Sequence, residues 1–172
     1  MAEKSDQDQK MVIFIATYDD KAKADQDYQS LLELHNEGWI GTYDVGVVAK
    51  SDKGKLDIVR HTDSTGKGAR RGAVIGAVLG VLFPPSLVAG AVAGGLVGTA
   101  VGHSMNDIPR HDLKEIGDMI ENGQIAMVVL GQLQIEEGLH KATKRAIKEY
   151  QREFNADVKD YNRQLDAALK AA

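Results

Sequence analysis

Apolar residues fall into two rhythms along this chain. Residues 11–18, MVIFIATY, form a short apolar run rich in β-branched and aromatic side chains and bounded by polar sequence, which predicts a buried strand. In DDKAKADQDYQSLLELHNEG, Ala24, Tyr28, Leu31, Leu32 and His35 follow helical spacing. Asp19 or Asp20 is placed to cap the start of that helix, and Gly38 to end it. Tyr43, Val45 and Val47 then alternate with Asp44 and Gly46, SDKG supplies a turn, and KLDIVRH alternates again. Together these predict a β-hairpin. RHDLKEIGDMIENG predicts a short helix with Leu113, Ile116, Met119 and Ile120 on one side, ended by Gly123. QIAMVVLGQLQI predicts a fourth strand.

The resulting order, β-α-β-β-(insertion)-α-β, predicts an α+β fold of the ferredoxin-like, split βαβ type. In this reading the first and last strands lie side by side in the middle of the sheet. The two most apolar runs, MVIFIATY and IAMVVLG, suit those places. The chain then divides into a polar leader (1–10, expected to be disordered), a core (11–65 and 106–135), an inserted hairpin (66–105) and a C-terminal amphipathic helix (136–172). The stripe of that last helix contains Leu139, Ile147, Tyr150, Phe154, Val158, Tyr161, Leu165 and Leu169, in steps of three and four from Ile147 onward. Ile147, Tyr150, Phe154, Val158, Tyr161 and Leu165 are therefore candidates for an intersubunit seam.

The insertion is the most unusual part. From Gly72 to Gly102 there is no charged side chain. Glycine recurs every fourth residue at Gly68, Gly72, Gly76 and Gly80, and again at Gly90, Gly94, Gly98 and Gly102. Pro84 and Pro85 separate the two rows, which predicts two helical arms and a tight turn. Spacing of four puts each row on one helix face, where backbones approach closely. Three expected strands precede the insertion and the fourth follows it, so the chain must return to the side it left. Zero or two membrane crossings satisfy that condition. The second arm, Ser86–Gly102, is about 26 Å long as a helix, against a hydrocarbon core of about 30 Å; the first, Gly72–Phe83, is about 18 Å. The 13 Val, Leu, Ile and Phe residues of the run supply about −4 to −8 kcal/mol toward insertion, before the cost of glycine and proline. Lys67, Arg70 and Arg71 before the run and Arg110 after it are candidates for lipid headgroup contact with both ends on the cytoplasmic side. The same hairpin, buried between subunits, would also make the core of a water-soluble oligomer. An apolar hairpin of this size is in either case an interface.

These features resemble a family of predicted bacterial membrane proteins, the domain of unknown function 1269. The residues that carry the resemblance are VIFIATYDDKAKAD, the arm GARRGAVIGAVLGVLF with its PP break, and QIAMVVLG, within roughly residues 10–135. The resemblance implies a ferredoxin-like core split by a Gly/Ala-rich hairpin, a place near a membrane, and self-association. It implies no reaction and supplies no catalytic residue.

Composition narrows the remaining chemistry. The 172 residues carry a net charge of −4 without a long basic patch, which gives no support for nucleic-acid binding. There is no cysteine, which excludes disulfides, thiolate metal sites and thiol nucleophiles. The leader MAEKSDQDQK lacks the apolar core of a signal peptide, so the expected location starts from the cytoplasm. His61, His103 and His111 flank the insertion near Asp63, Asp107 and Asp112, but no short ligand spacing such as HxxxH is present, and solvated loop histidines are expected. STGKGARRG lacks the spacing of a phosphate loop. Trp39 is expected to cover the end of the core where the first helix stops; together with Tyr43 it also has the character of a membrane-interface anchor. No cofactor, metal, small-molecule substrate or catalytic residue is expected.

The expectation is a non-enzymatic, self-associating protein on the cytoplasmic side of the inner membrane, with itself and membrane lipid as partners. The alternative is a soluble cytoplasmic assembly, a scaffold or shell in which the hairpins are buried between subunits.

Overall fold

The computed structural model describes residues 10–39, 43–63, 111, 115, 117–132 and 135–155. The glycine-rich insertion and residues 156–172 lie outside them. The described elements are β1 (Lys10–Tyr18), α1 (Lys21–Asn36), β2 (Tyr43–Lys50), β3 (Leu56–Asp63), β4 (Ile125–Gln132), α2 (Glu136–Ala142) and β5 (Lys148–Asn155). The fold is α+β. One five-stranded antiparallel sheet has the order β3-β2-β4-β1-β5.

β1 and β4 are neighbours, in register from Met11↔Gln132 to Tyr18↔Ile125. The expected adjacency of the first and fourth strands is therefore observed. β4 is antiparallel to β1 on one side and to β2 on the other, so β1 and β2 run parallel with a strand between them. That is a split β1-α1-β2 unit. The strand in the gap is β4, and β3 lies at the edge.

Local chemistry explains α1 completely. Asp20, in extended conformation, accepts a bond from the Ala22 amide at 2.7 Å and caps the helix start. At the other end the Gly38 amide bonds to the His35 carbonyl and the Trp39 amide to the Leu34 carbonyl, with Gly38 at φ 81°. This is a Schellman stop, and glycine takes its left-handed position without a Cβ penalty. Ala24, Tyr28 and Leu31 are buried against the face of β1 that carries Val12, Phe14, Ala16 and Tyr18. Val45, Val47, Met127 and Val129 continue that face, and Ile135, Leu139 and Ala142 cover it from α2.

The opposite face of the central strands is buried as well. Met11, Ile13 and Ile15 on β1, Val48 on β2 and Ala126, Val128 and Leu130 on β4 are all at most 5% exposed. Burial on both faces accounts for strands that read as unbroken apolar runs. His111, Glu115, Gly117 and Asp118 are helical, and the Met119 amide bonds to the Glu115 carbonyl at 3.2 Å. Gly117 and Ile120 are buried while His111, Glu115 and Asp118 are exposed. That agrees with a short helix ahead of β4.

The chain after β4 departs from expectation. Residues 136–142 are helical as anticipated, but the helix stops at Ala142 and residues 148–155 form β5. β5 pairs with the free side of β1 from Thr17↔Lys148 to Lys10↔Asn155. The expected single helix over 136–172 is therefore corrected for its first twenty residues. The spacing of Ile147, Tyr150 and Phe154 suits a helix, but KEYQREFN also alternates. The open hydrogen-bonding edge of β1 settles the ambiguity in favour of a strand. Val158, Tyr161, Leu165 and Leu169 lie outside the described residues. Among the described residues, no helix is long and apolar enough to cross a membrane.

Candidate functional site

Among the described residues, a cluster of polar side chains lies where α1 meets the α2–β5 turn. Asp27 belongs to the buried face of α1, one turn from Ala24 and Leu31, and its side chain is fully buried. The Arg145 guanidinium donates to Asp27 Oδ1 at 2.7 Å, and the Arg145 amide donates to Oδ2 at 2.9 Å. Both carboxylate oxygens are thus engaged by one residue 118 positions away in sequence. The guanidinium itself is half exposed.

Beside this pair, the Thr143 hydroxyl bonds to the Leu139 carbonyl at 2.9 Å and to Glu149 Oε1. Glu149 Oε2 lies 2.8 Å from His140 Nδ1. The His140 ring meets Phe14 edge to face, with centroids 5.5 Å apart. The cluster links β1, α1, α2 and β5 through side chains and two backbone groups, the Arg145 amide and the Leu139 carbonyl.

Tyr18 closes the cluster on the strand side. Its hydroxyl is buried and makes no hydrogen bond of good geometry. Burial first, and then the nearby Asp27 carboxylate, push its pKa far above the ordinary phenol value. Tyr18 therefore stays protonated at neutral pH. Asp27 is fully occupied by Arg145. The cluster ties α2 and the turn from α2 into β5 to α1 and β1.

The opposite end of α1 carries a different feature. Trp39 is 67% exposed, so it does not cover the end of the core. Lys141 Nζ lies 5.6 Å from its ring centroid, within cation–π range. Lys141 also pairs with Glu137 at 2.7 Å.

The glycine-row candidates Gly68, Gly72, Gly76, Gly80, Gly90, Gly94, Gly98 and Gly102, with Pro84 and Pro85, lie outside the described residues. So do Lys67, Arg70, Arg71 and Arg110. Of the expected C-terminal seam, Ile147 is an exposed residue in the turn before β5, and Tyr150 and Phe154 are on β5 rather than on a helix. Of the histidines, His35 is on α1, His61 on β3 opposite Gly46, His111 on the short helix and His140 on α2. Among the described residues, no three His, Asp or Glu side chains gather around a common point.

Sequence reasoning missed Asp27 and Arg145. A signal for Asp27 was present: it is a carboxylate inside the apolar stripe Ala24, Tyr28, Leu31. No comparable signal marks Arg145, which sits in a run of solvated cations.

Comparison with known proteins adds one match. No curated protein and no solved structure matches the chain. A family described as "Protein of unknown function (DUF1269)" matches residues 69–160. The matched span begins at the glycine rows, not at β1, and runs through β4 and β5, so VIFIATYDDKAKAD lies outside it while part of the C-terminal region lies inside. With 92 of its 172 residues in that span, the chain belongs to the DUF1269 family.

Proposed function

We propose that this protein is a non-enzymatic, self-associating component that docks in or on a membrane through its glycine-zipper hairpin, on the cytoplasmic side of the inner membrane of a bacterium. The observation that carries this reading is the 31-residue run from Gly72 to Gly102, which has no charged side chain and is flanked by Lys67, Arg70, Arg71 and Arg110. Glycine at every fourth position suits close backbone approach between arms or between copies. The split β1-α1-β2 unit supports a ferredoxin-like variant as the folded body, with β4 in the gap and β5 added outside β1.

The test is flotation of a detergent-free lysate in a lipid gradient, followed by a carbonate wash. The expected result is a protein that floats with vesicles and resists the wash. A protein that stays in the dense fractions refutes the membrane reading, and its particle mass then tests the soluble assembly with buried hairpins. Gly76→Leu is expected to disrupt assembly and leave the α+β body folded. An unchanged oligomer with that substitution would remove the zipper from the account.

A further inference from the structure

The two ends of the sheet differ in what they carry. At one end, polar turns are tied to one another. Lys50 Nζ donates to the Ile120 carbonyl at 2.7 Å, Asn122 Nδ2 to the Asp52 carbonyl at 3.1 Å, and Lys148 Nζ to Glu121 at 2.9 Å. At the other end lie the first residues of β1 and β2 and the last residues of β3 and β4. The register places them together: Asp63 is opposite Asp44, Tyr43 is opposite Gly131, and Gly131 is opposite Val12. Trp39 belongs to this second end, in the connection from α1 to β2 four residues before Tyr43.

The same end is where the chain leaves β3 toward the apolar run. In sequence, Lys67 follows Asp63 by four residues, and Arg70 and Arg71 follow by seven and eight. Trp39 is the most exposed large apolar side chain among the described residues. It lies at the end of the sheet from which the membrane-docking segment departs, with an ammonium group 5.6 Å from its ring. Indole rings concentrate at the membrane–water boundary, where the ring sits at headgroup depth and a neighbouring lysine reaches the phosphates.

We propose that this end of the domain rests on a phospholipid surface, with Trp39 as its interfacial anchor and Lys141 as the cation beside the headgroup phosphates. The inference builds on the membrane reading above and adds the orientation of the folded body and the residue that fixes it.

Trp39 is the only tryptophan in the chain, so the full-length protein carries its own probe. Its fluorescence is recorded with and without vesicles of phosphatidylcholine and phosphatidylglycerol, and again with brominated acyl chains, which quench by contact. Flotation is run on the same samples. The expected result is a blue shift on adding vesicles, quenching by the brominated lipid, and flotation. Trp39→Ala should weaken vesicle partitioning roughly three- to tenfold, as the loss of part of an apolar burial would.

Flotation with an unshifted emission overturns the Trp39 assignment and leaves the hairpin reading intact. A blue shift without quenching also overturns it, because the ring is then buried by protein. Failure to float removes the membrane reading and this inference together. Full partitioning by Trp39→Ala, with its far-ultraviolet circular dichroism unchanged, overturns the anchor alone.

Discussion

Helix α1 carries its own start and stop signals. Asp20 caps its first turn and Gly38 closes its last, each within a few residues of the bond it makes. Helix α2 has neither device. Ile135 at its N-cap offers no side-chain bond, and no glycine or proline follows Ala142 anywhere in the chain. Yet α2 stops after seven residues. Thr143 turns its hydroxyl back to Leu139 and across to Glu149, and Arg145 is drawn to the buried Asp27. One boundary is written locally, and the other combines the nearby bonds of Thr143 with a contact across most of the chain. Propensity is a weak prior that tertiary context overrides, and the α2–β5 turn is an instance with named atoms.

Substitutions separate the two kinds of boundary. The largest effect is expected from Arg145→Ala, which leaves the Asp27 carboxylate buried without its cation. A loss of about 3 kcal/mol follows from breaking such a pair on its exposed side. It is read as a lower denaturation midpoint, with faster hydrogen exchange in the β1–β5 ladder than in the β1–β4 ladder. Equal protection of the two ladders would mean that β5 does not depend on the contact.

Asp27→Ala is expected to cost less, about 2 kcal/mol, because the half-exposed Arg145 returns to water. The double variant should lose less than the two single losses combined, as residues in one contact do. Additive losses would break the pairing argument. Gly38→Ala should cost about 1 kcal/mol through the left-handed φ alone, with the β5 amides unaffected. Loss of β5 protection in this variant would dissolve the contrast between local and distant stops.

The smallest effect at neutral pH is expected from Tyr18→Phe. Removing a buried hydroxyl without a partner should be neutral or stabilise by up to about 1 kcal/mol. Its signature is alkaline. The folded protein holds Tyr18 neutral above the ordinary phenol range, while the unfolded chain ionises near pH ~10. Stability is therefore complete below that value and falls as pH rises through it. Denaturation midpoints measured from neutral to alkaline pH should fall less steeply for Tyr18→Phe than for the parent. Identical slopes would show that Tyr18 is not the group responsible.

The same contrast governs what the sequence discloses. β1, α1, the β2–β3 hairpin and β4 follow from nearby residues: an unbroken apolar run, a stripe with Asp20 and Gly38 at its ends, an SDKG turn. β5 does not, because KEYQREFN satisfies helical and strand spacing alike and only the vacant side of β1 chooses between them. Asp27 is visible as a charge within an apolar stripe, but its partner is not, since nothing near Arg145 distinguishes it from Lys141, Lys144 or Lys148. The exposure of Trp39 decides between two readings that the sequence leaves open. A tryptophan after a helix stop reads as cover for the core or as an interface anchor, and its exposure removes the first.

The alternation of β5 bears on whether a second copy could extend the sheet. On an outer strand, unpaired backbone groups invite a second copy to extend the sheet. Two-fold symmetry would lay the strands antiparallel and place residues of the same face opposite each other. For β5, one register puts Lys148 opposite Arg152 of the copy on one face, and the next puts Glu149 opposite Glu153 on the other. Like charges directly opposite are repelled. The charge pattern of the strand thus disfavours symmetric edge-to-edge pairing in these two registers.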